Sequence, residues 1–209
     1  PPVGPEHSNT EDLPLWLFDT DTDRTLYLFT NLGNCHTLSV GALPESNRPV
    51  QRGSLLSGLI AGIEEGETPV QMFCCTPEEL RAMPDLLFIT RSGQLKRSTA
   101  ADYDVRRQRF AALNLREGDQ LLTVLPLNPD QDLLLLSRAG MSLRCRTDSL
   151  PVMGRATAGV RGMTLEGDDT LLYAAQPAEG DQLLLLSDRG FGKRVLALDF
   201  EPQARGGKG

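Results

Sequence analysis

The chain has 209 residues, 40% of them hydrophobic, and a formal net charge of -7. This length can bury a hydrophobic core in one domain or in two small ones, and no transmembrane helix is expected because no run of 18 apolar residues occurs. The negative charge argues against nucleic acid, but residues 1–80 hold 12 acidic and 3 basic side chains, whereas residues 81–209 hold 16 acidic and 18 basic ones. Because charges are screened beyond about 8–10 Å at physiological salt, local patches decide whether phosphate binds.

The first 14 residues, PPVGPEHSNTEDLP, are polar and rich in proline. They contain neither the basic nor the apolar region of a signal peptide, so we expect a flexible linker remnant over residues 1–14 and one domain over residues 15–209. The four cysteines form no CxxC pair, which favours free thiols and a cytoplasmic location over a zinc site or disulfides.

The sequence contains no recognisable catalytic motif. It has two histidines, and we find no Ser–His–Asp set, phosphate-binding loop or dinucleotide fingerprint. We therefore expect no catalytic residue, metal site or cofactor in this chain. The segment DTDTDR (19–24) lacks the glycine and the glutamate of a calcium loop, and we interpret it as a turn between strands over 14–18 and 25–30.

A strand–turn–strand pattern occurs four times. The segments are RTLYLFTNLGNCHTLSV (24–40), DLLFITRSGQLKRSTA (85–100), DLLLLSRAGMSLRCRT (132–147) and QLLLLSDRGFGKRVLA (182–197). Their turn glycines, Gly33, Gly93, Gly140 and Gly190, are 60, 47 and 50 residues apart. A glycine at this place suits a short hairpin turn that requires a positive φ.

A second motif, a glycine among acidic residues followed by a strand-like run, alternates with the hairpins. Its glycines are Gly66, Gly118 and Gly167. A period near 50 residues with several short strands per period predicts an all-β fold, a β-propeller or β-pinwheel-like array of roughly four blades of antiparallel strands. The best helical candidate is TPEELRAMP (76–84), with Thr76 before a proline at the first helical position.

Basic residues recur in the connections between the predicted hairpins, once per repeat. They are Arg48 and Arg52; Arg106, Arg107 and Arg109; Arg155 and Arg161; Lys193 and Arg194; and Arg205 and Lys208, the last two beside Gly206 and Gly207. Blade symmetry would bring them to one rim as a curved basic track. Without interleaved aromatic residues, such a track suits a bent duplex better than a single strand. Glycine turns among cations offer backbone N–H groups to a phosphate.

These motifs resemble the C-terminal domain of the A subunits of bacterial DNA gyrases over residues 15–209. The most specific pieces are MGRATAGVRGM (153–163), DRGFGKR (188–194) and the closing QARGGKG (203–209). The hallmark box of that family reads Gln, basic, Arg, Gly, Gly, basic, Gly, and residues 203–209 match it except that Ala204 replaces a cation.

The resemblance implies a DNA-wrapping β-pinwheel with strands exchanged between blades. The domain would bind double-stranded DNA, bend it and present it to a catalytic core in the parent chain for ATP-dependent supercoiling. That core would carry the catalytic tyrosine of a type II DNA topoisomerase, and the resemblance implies a complex of two A and two B subunits in which the B subunit is the ATPase. ATP and Mg²⁺ would serve the whole enzyme.

Two alternatives stay open from the sequence. One is the C-terminal domain of the topoisomerase IV protein that corresponds to the gyrase A subunit and acts in decatenation. The other is a propeller that binds proteins and not DNA, which the acidic first 80 residues would suit.

Overall fold

The structure, a computed structural model, describes residues 15–45 and 53–209. It confirms the all-β fold: four antiparallel sheets follow one another along the chain, and we call them blades 1 to 4. In spatial order, blade 1 is β3-β1-β2-β6, blade 2 is β10-β5-β4-β7, blade 3 is β11-β8-β9 and blade 4 is β12-β13. The strands are β1 (Thr25–Thr30), β2 (Asn34–Ser39), β3 (Pro69–Cys75), β4 (Leu86–Thr90), β5 (Gln94–Ser98), β6 (Arg109–Ala111), β7 (Leu121–Pro126), β8 (Leu133–Ser137), β9 (Ser142–Cys145), β10 (Val160–Arg161), β11 (Leu171–Ala175), β12 (Gln182–Leu186) and β13 (Gly192–Leu196).

Each blade contains one of the four predicted hairpins, which forms the two central strands of blades 1 and 2. The turn glycines Gly33, Gly93, Gly140 and Gly190 have φ values of 77°, 83°, 88° and 82°. L-residues with a Cβ rarely adopt this left-handed conformation, which is why a glycine stands in each turn.

The acidic second motif fastens the hairpin turn of its own blade. The carboxylate of Asp119 accepts a hydrogen bond from the backbone N–H of Ser92 at 2.9 Å, and Asp169 accepts one from Ala139 at 3.0 Å. In blade 1 Glu67 accepts from the Thr30 hydroxyl at 2.7 Å. The repeated acid therefore has a structural partner in each of the first three blades.

The strands that follow the second motif join neighbouring blades. Strand β7 contacts both β3 and β11, so these three strands lie on the inner side of the array. The N–H groups of Leu121 and Leu171 donate to the carbonyls of Asn31 and Arg91, each in the turn of the preceding blade, at 2.8 Å.

Strand exchange occurs at the opposite, outer edge. Strand β6 lies in sequence after the hairpin of blade 2, yet it pairs with β2 of blade 1. In the same way β10 follows the hairpin of blade 3 and pairs with β5 of blade 2. The outer edge of a blade is thus covered by a chain segment from the next repeat.

Two apolar clusters fill the spaces between the first three blades. Phe29, Phe88 and Tyr103 are central in the cluster between blades 1 and 2, with ring centroids 5.2–5.7 Å apart. The cluster between blades 2 and 3 consists mainly of leucines, among them Leu87 and Leu135. Aromatic burial and leucine packing of this kind supply most of the free energy of folding.

Two local predictions had different outcomes. Helix α2 (Pro77–Ala82) begins after Thr76, whose hydroxyl accepts from the N–H of Glu79 while Glu79 accepts from the N–H of Thr76, as expected for a capping box. A second helix, α1 (Leu56–Leu59), has a single turn.

The predicted strand over 14–18 is wrong for residues 15–18: they pair with no strand, and Leu15 and Leu17 are exposed. Residue 14 and the linker predicted over 1–14 lie outside the described residues.

Candidate nucleic-acid interface

Two segments run along the outer edge of the array in the same way. Met153 donates its N–H to the carbonyl of Arg97 in blade 2 at 2.8 Å, and Gln203 donates to the carbonyl of Arg144 in blade 3 at 2.7 Å. Next to these hydrogen bonds, Val152 forms an isolated parallel β-bridge with Arg97, and Pro202 forms one with Arg144. We call residues 153–161 the first rim segment and residues 203–209 the second rim segment. The closing glycines and cations are therefore a second copy of the MGRATAG stretch, with Arg205 at the position of Arg155.

Glycine ends the shared part of both rim segments because the backbone comes too close for a side chain. Gly159 has a φ of 85°, and a Cβ there would lie 2.5 Å from the carbonyl oxygen of Leu95. Gly209 has a φ of 103°, and its Cβ would lie 2.8 Å from the carbonyl oxygen of Ser142. Real Cβ atoms do not approach other atoms this closely, so only glycine fits at these two positions. Each of the two glycines allows its rim segment to lie against the edge of a blade.

The second rim segment contacts Arg161, the last residue of the first rim segment, and the residues directly after it. Gly206 donates its N–H to the carbonyl of Gly162 at 2.7 Å, and Thr164 donates to the carbonyl of Gly207 at 2.8 Å. The guanidinium of Arg205 donates to the carbonyl of Arg161. The first rim segment is joined to blade 1 in the same manner, by a hydrogen bond of 3.1 Å from Asn114 to Thr157. The outer edge is thus continuous over three blades.

The predicted cations differ in what they contact. Arg155 is half-buried, with its guanidinium 4.9 Å from the ring centroid of Phe110, whereas Arg161 is exposed. Lys208 forms an ion pair with Glu166, and Arg109 forms one with Glu64. Hydrogen bonding and attraction between Lys208 and Glu166 raise the pKa of the lysine and lower the pKa of the carboxyl group.

Four further predicted cations are exposed. Arg106 and Arg107 precede β6 at the edge of blade 1, and Lys193 and Arg194 lie on β13 of blade 4. Within residues 15–45 and 53–209, none of these four forms an ion pair with a carboxylate. Arg48 and Arg52 lie outside the described residues. The structure thus places Arg161 beside Arg205, Gly206 and Gly207, with Arg155 and Lys208 in the same two rim segments. The other described candidates lie in or just before strands β6 and β13.

Two arginines that the sequence did not single out have a structural role. The Nε atoms of Arg97 and Arg144 donate to Asp85 at 2.7 Å and to Asp132 at 2.8 Å. Each arginine stands four residues after a turn glycine, and each aspartate precedes the same hairpin. Aligning the repeats would have revealed this recurrent pair, which fixes the strand that carries a rim segment.

Lys96 was also missed, because the sequence gives no sign that this lysine is buried. It is 1% exposed, and it stands in β5 directly beneath the first rim segment. Burial lowers its pKa from 10.5 to about 8.

A groove of about 410 Å³ opens beside the first rim segment, between blades 2 and 3, and its lining includes Arg116 and Arg161. Arg116 is exposed and was not among the predicted residues.

Among residues 15–45 and 53–209, no group of three or more His, Cys, Asp and Glu side chains could hold a metal ion. In the same part of the chain, no helix is long and apolar enough to cross a membrane.

Comparison with known proteins gives one consistent family. The model of the DNA gyrase C-terminal domain, beta-propeller, matches residues 84–128, 131–177 and 181–209. The A subunit of DNA gyrase from Mycobacterium bovis is 34% identical over 205 residues, which are 95% of this chain and 24% of that protein. The A subunit of DNA gyrase from Chlamydia muridarum is 32% identical over 196 residues, 92% of this chain and 23% of that protein. This chain thus spans about a quarter of the length of these relatives.

Solved structures agree with this result. The C-terminal domain of DNA topoisomerase IV superposes with a TM-score of 0.82 at 26% identity, covering 90% of this chain and 58% of that one. The DNA gyrase A C-terminal domain superposes with a TM-score of 0.69 at 22% identity, covering 91% of this chain and 60% of that one, which supports the fold alone.

Blades that exchange edge strands around a shared inner side define a β-propeller of the pinwheel type. Since the family model matches more than half of the residues, this chain belongs to the DNA gyrase C-terminal domain family. The resemblance inferred from the sequence motifs is therefore confirmed.

Proposed function

We propose that this domain binds and bends double-stranded DNA along its outer edge, as part of the A subunit of a type IIA topoisomerase. The observation that carries the proposal is the contact between the two rim segments, which places Arg155, Arg161 and Arg205 on one edge together with the glycine turns. Guanidinium groups neutralise phosphates, and exposed N–H groups at glycine turns can donate to phosphate oxygens.

A curved outer edge, which blades arranged as in a propeller would form, would suit a bent duplex. Bending 20–30 base pairs by 40–90° costs on the order of 1–6 kcal/mol, so several weak phosphate contacts must act together. Cations repeated from blade to blade supply such contacts without reading bases. Binding should therefore depend strongly on salt and little on sequence.

The parent protein would be the A subunit of a DNA gyrase. In that context the domain presents DNA to the catalytic core for ATP-dependent supercoiling, and the core works with a B subunit that hydrolyses ATP with Mg²⁺ in a complex of two A and two B subunits. The isolated domain would need no cofactor and would have no catalytic activity of its own. Such an enzyme acts where the bacterial chromosome lies, in the cytoplasm.

Duplex binding tests the proposal directly. We expect the double variant Arg155→Ala/Arg161→Ala to bind a 40-base-pair duplex more weakly, with a slope of log K against log salt shallower by about 2, because each lost phosphate contact removes about 0.9. The variant Arg24→Ala/Arg81→Ala makes the same charge change at two cations that are ion-paired near helix α2, and it serves as the matched control. Equal slopes for both variants, or no binding by the unmodified domain at low salt, would contradict the proposal.

The topoisomerase IV alternative has one observation in its favour: the higher TM-score, 0.82 against 0.69. The wrapping of DNA distinguishes a gyrase domain from a topoisomerase IV domain. A gyrase-type domain should induce positive crossings when relaxed plasmid is closed in its presence, whereas a domain that only bends DNA should shift the linking number little. A protein-interaction module would leave the linking number unchanged and would not bind the duplex.

A further inference from the structure

Lys96 is a buried cation whose hydrogen-bond partners are neutral. Its Nζ atom donates to the carbonyl oxygen of Arg155 at 2.6 Å, to that of Ala112 at 2.9 Å and to the hydroxyl of Tyr103 at 3.2 Å. It also lies 5.1 Å from the ring centroid of Phe88. Three acceptors and an aromatic face compensate for the loss of water, but no described carboxylate is in hydrogen-bond contact with the ammonium.

The contacts of Lys96 come from three different parts of the fold. Arg155 belongs to the first rim segment, Ala112 follows the exchanged strand β6 of blade 1, and Lys96 itself stands in β5 of blade 2. A single ammonium group therefore holds together the edges of blades 1 and 2 and the backbone at Arg155. The guanidinium of the same residue, Arg155, packs on the ring of Phe110.

The corresponding position in the other blades holds no buried lysine, since Lys193 of blade 4 is exposed. Three residues after the turn glycine stand His36 in blade 1, Leu143 in blade 3 and Lys193 in blade 4. Leu143 packs beneath the second rim segment, where a Cβ at Gly207 would lie 3.4 Å from its side chain. A leucine thus suffices for the core under a rim segment, and the buried lysine of blade 2 needs another explanation.

We propose that Lys96 is a positioning residue for the DNA-binding edge: by holding the carbonyl of Arg155, its ammonium fixes the first rim segment and the guanidinium that meets a phosphate. This inference rests on the proposed function. Arg155 is half-buried with its guanidinium against Phe110, so a shift of its backbone moves the charged group with it.

Substitution of Lys96 by methionine tests the role, since methionine has a similar length but no donor. We expect Lys96→Met to reduce the slope of log K against log salt by about 0.9, the loss of one phosphate contact. Arg155→Ala should give the same reduction. The double variant Lys96→Met/Arg155→Ala should resemble Arg155→Ala alone, because both changes remove one contact.

A destabilised control separates positioning from general weakening of the fold. Leu87→Ala removes a buried side chain from β4 of the same blade, a strand that pairs with β5 and β7 and with neither rim segment, and it should leave the salt slope unchanged below its unfolding transition. An equal loss of slope in Leu87→Ala, or additive losses in the double variant, would overturn the inference. If Lys96→Met does not fold, Lys96→Gln removes the charge more gently and should change the slope in the same direction.

Hydrogen exchange gives a second measurement that needs no DNA. Amides of residues 156–161 should exchange faster in Lys96→Met than in the unmodified domain, while amides of the second rim segment should not. If the unmodified domain fails to bind duplex, the proposed function fails, and this exchange experiment still decides on positioning. Unchanged exchange over residues 156–161 would overturn it.

Discussion

At the scale of single residues, buried polar side chains form hydrogen bonds with the repeated hairpin turns. Glu67 is the most strongly held: it accepts hydrogen bonds from Thr30 at 2.7 Å and Asn34 at 2.9 Å, contacts His36 Nε2 at 3.0 Å, and accepts from the N–H of Glu64 at 2.9 Å. Burial alone would raise the pKa of this carboxyl group. The hydrogen bonds outweigh burial and lower the pKa to about 2.

This low pKa predicts how the domain responds to acid. Because the folded state holds the Glu67 proton less tightly than the unfolded chain, the contribution of Glu67 to stability is complete above pH 4.5 and is lost as the pH falls towards 2. We expect Glu67→Gln to cost about 1–3 kcal/mol at pH 7 and to lose less stability than the unmodified domain between pH 4.5 and pH 3. Urea unfolding at pH 7, 4.5 and 3 measures both effects, and parallel losses in the two proteins would contradict the assignment.

At the scale of the element, the hairpin turns show what the sequence could and could not predict. The four turn glycines and the strands around them followed from the repeats, because a positive φ leaves a clear residue preference. The exchanged strands β6 and β10 were too short, at three and two residues, to be recognised from alternation. Their pairing depends on long-range contacts that local patterns do not encode.

The candidate interface likewise has a part that the sequence could predict and a part that it could not. The rim cations could be predicted because they stand in connections between recurrent hairpins. The close packing of Arg205 against Arg161 and the burial of Lys96 could not, since each depends on two segments that are about 40–60 residues apart and meet only in the fold. The family resemblance supplied the strand exchange that the pattern of residues alone did not.

Two turn glycines that look equivalent in sequence should respond differently to alanine. Gly93 and Gly140 both have a positive φ, but a Cβ at Gly93 would lie 2.6 Å from the carbonyl oxygen of Met163, whereas a Cβ at Gly140 would meet nothing within 4 Å. We expect Gly140→Ala to cost about 1 kcal/mol from backbone strain and Gly93→Ala to cost at least about 2 kcal/mol because the backbone at Met163 must also move. Chemical denaturation of both variants is the measurement, and equal losses would mean that the contact to Met163 is not close.

At the scale of the whole molecule, packing between blades changes along the chain. Leu87 and Leu134 occupy the same place in blades 2 and 3, and each is 0% exposed. Leu184 stands at the corresponding place in blade 4 and is 69% exposed, and Leu186, two residues further on, is 72% exposed. At these equivalent positions blade 4 is therefore less buried than blades 2 and 3, and segments with few buried apolar contacts open most easily.

This gradient predicts where the domain opens first. Leu87→Ala should cost about 2–5 kcal/mol because it leaves a cavity between two blades, and Leu134→Ala should cost a similar amount. Leu184→Ala, the same change at the corresponding position, should cost less than about 1 kcal/mol because water already surrounds most of that side chain. In native-state hydrogen exchange, amides of β12 and β13 should exchange before those of β4 and β5. Equal protection of the two hairpins would mean that blade 4 is packed as firmly as blade 2. The exposed leucines would then have to be covered in solution, and Leu184→Ala would be as costly as Leu87→Ala.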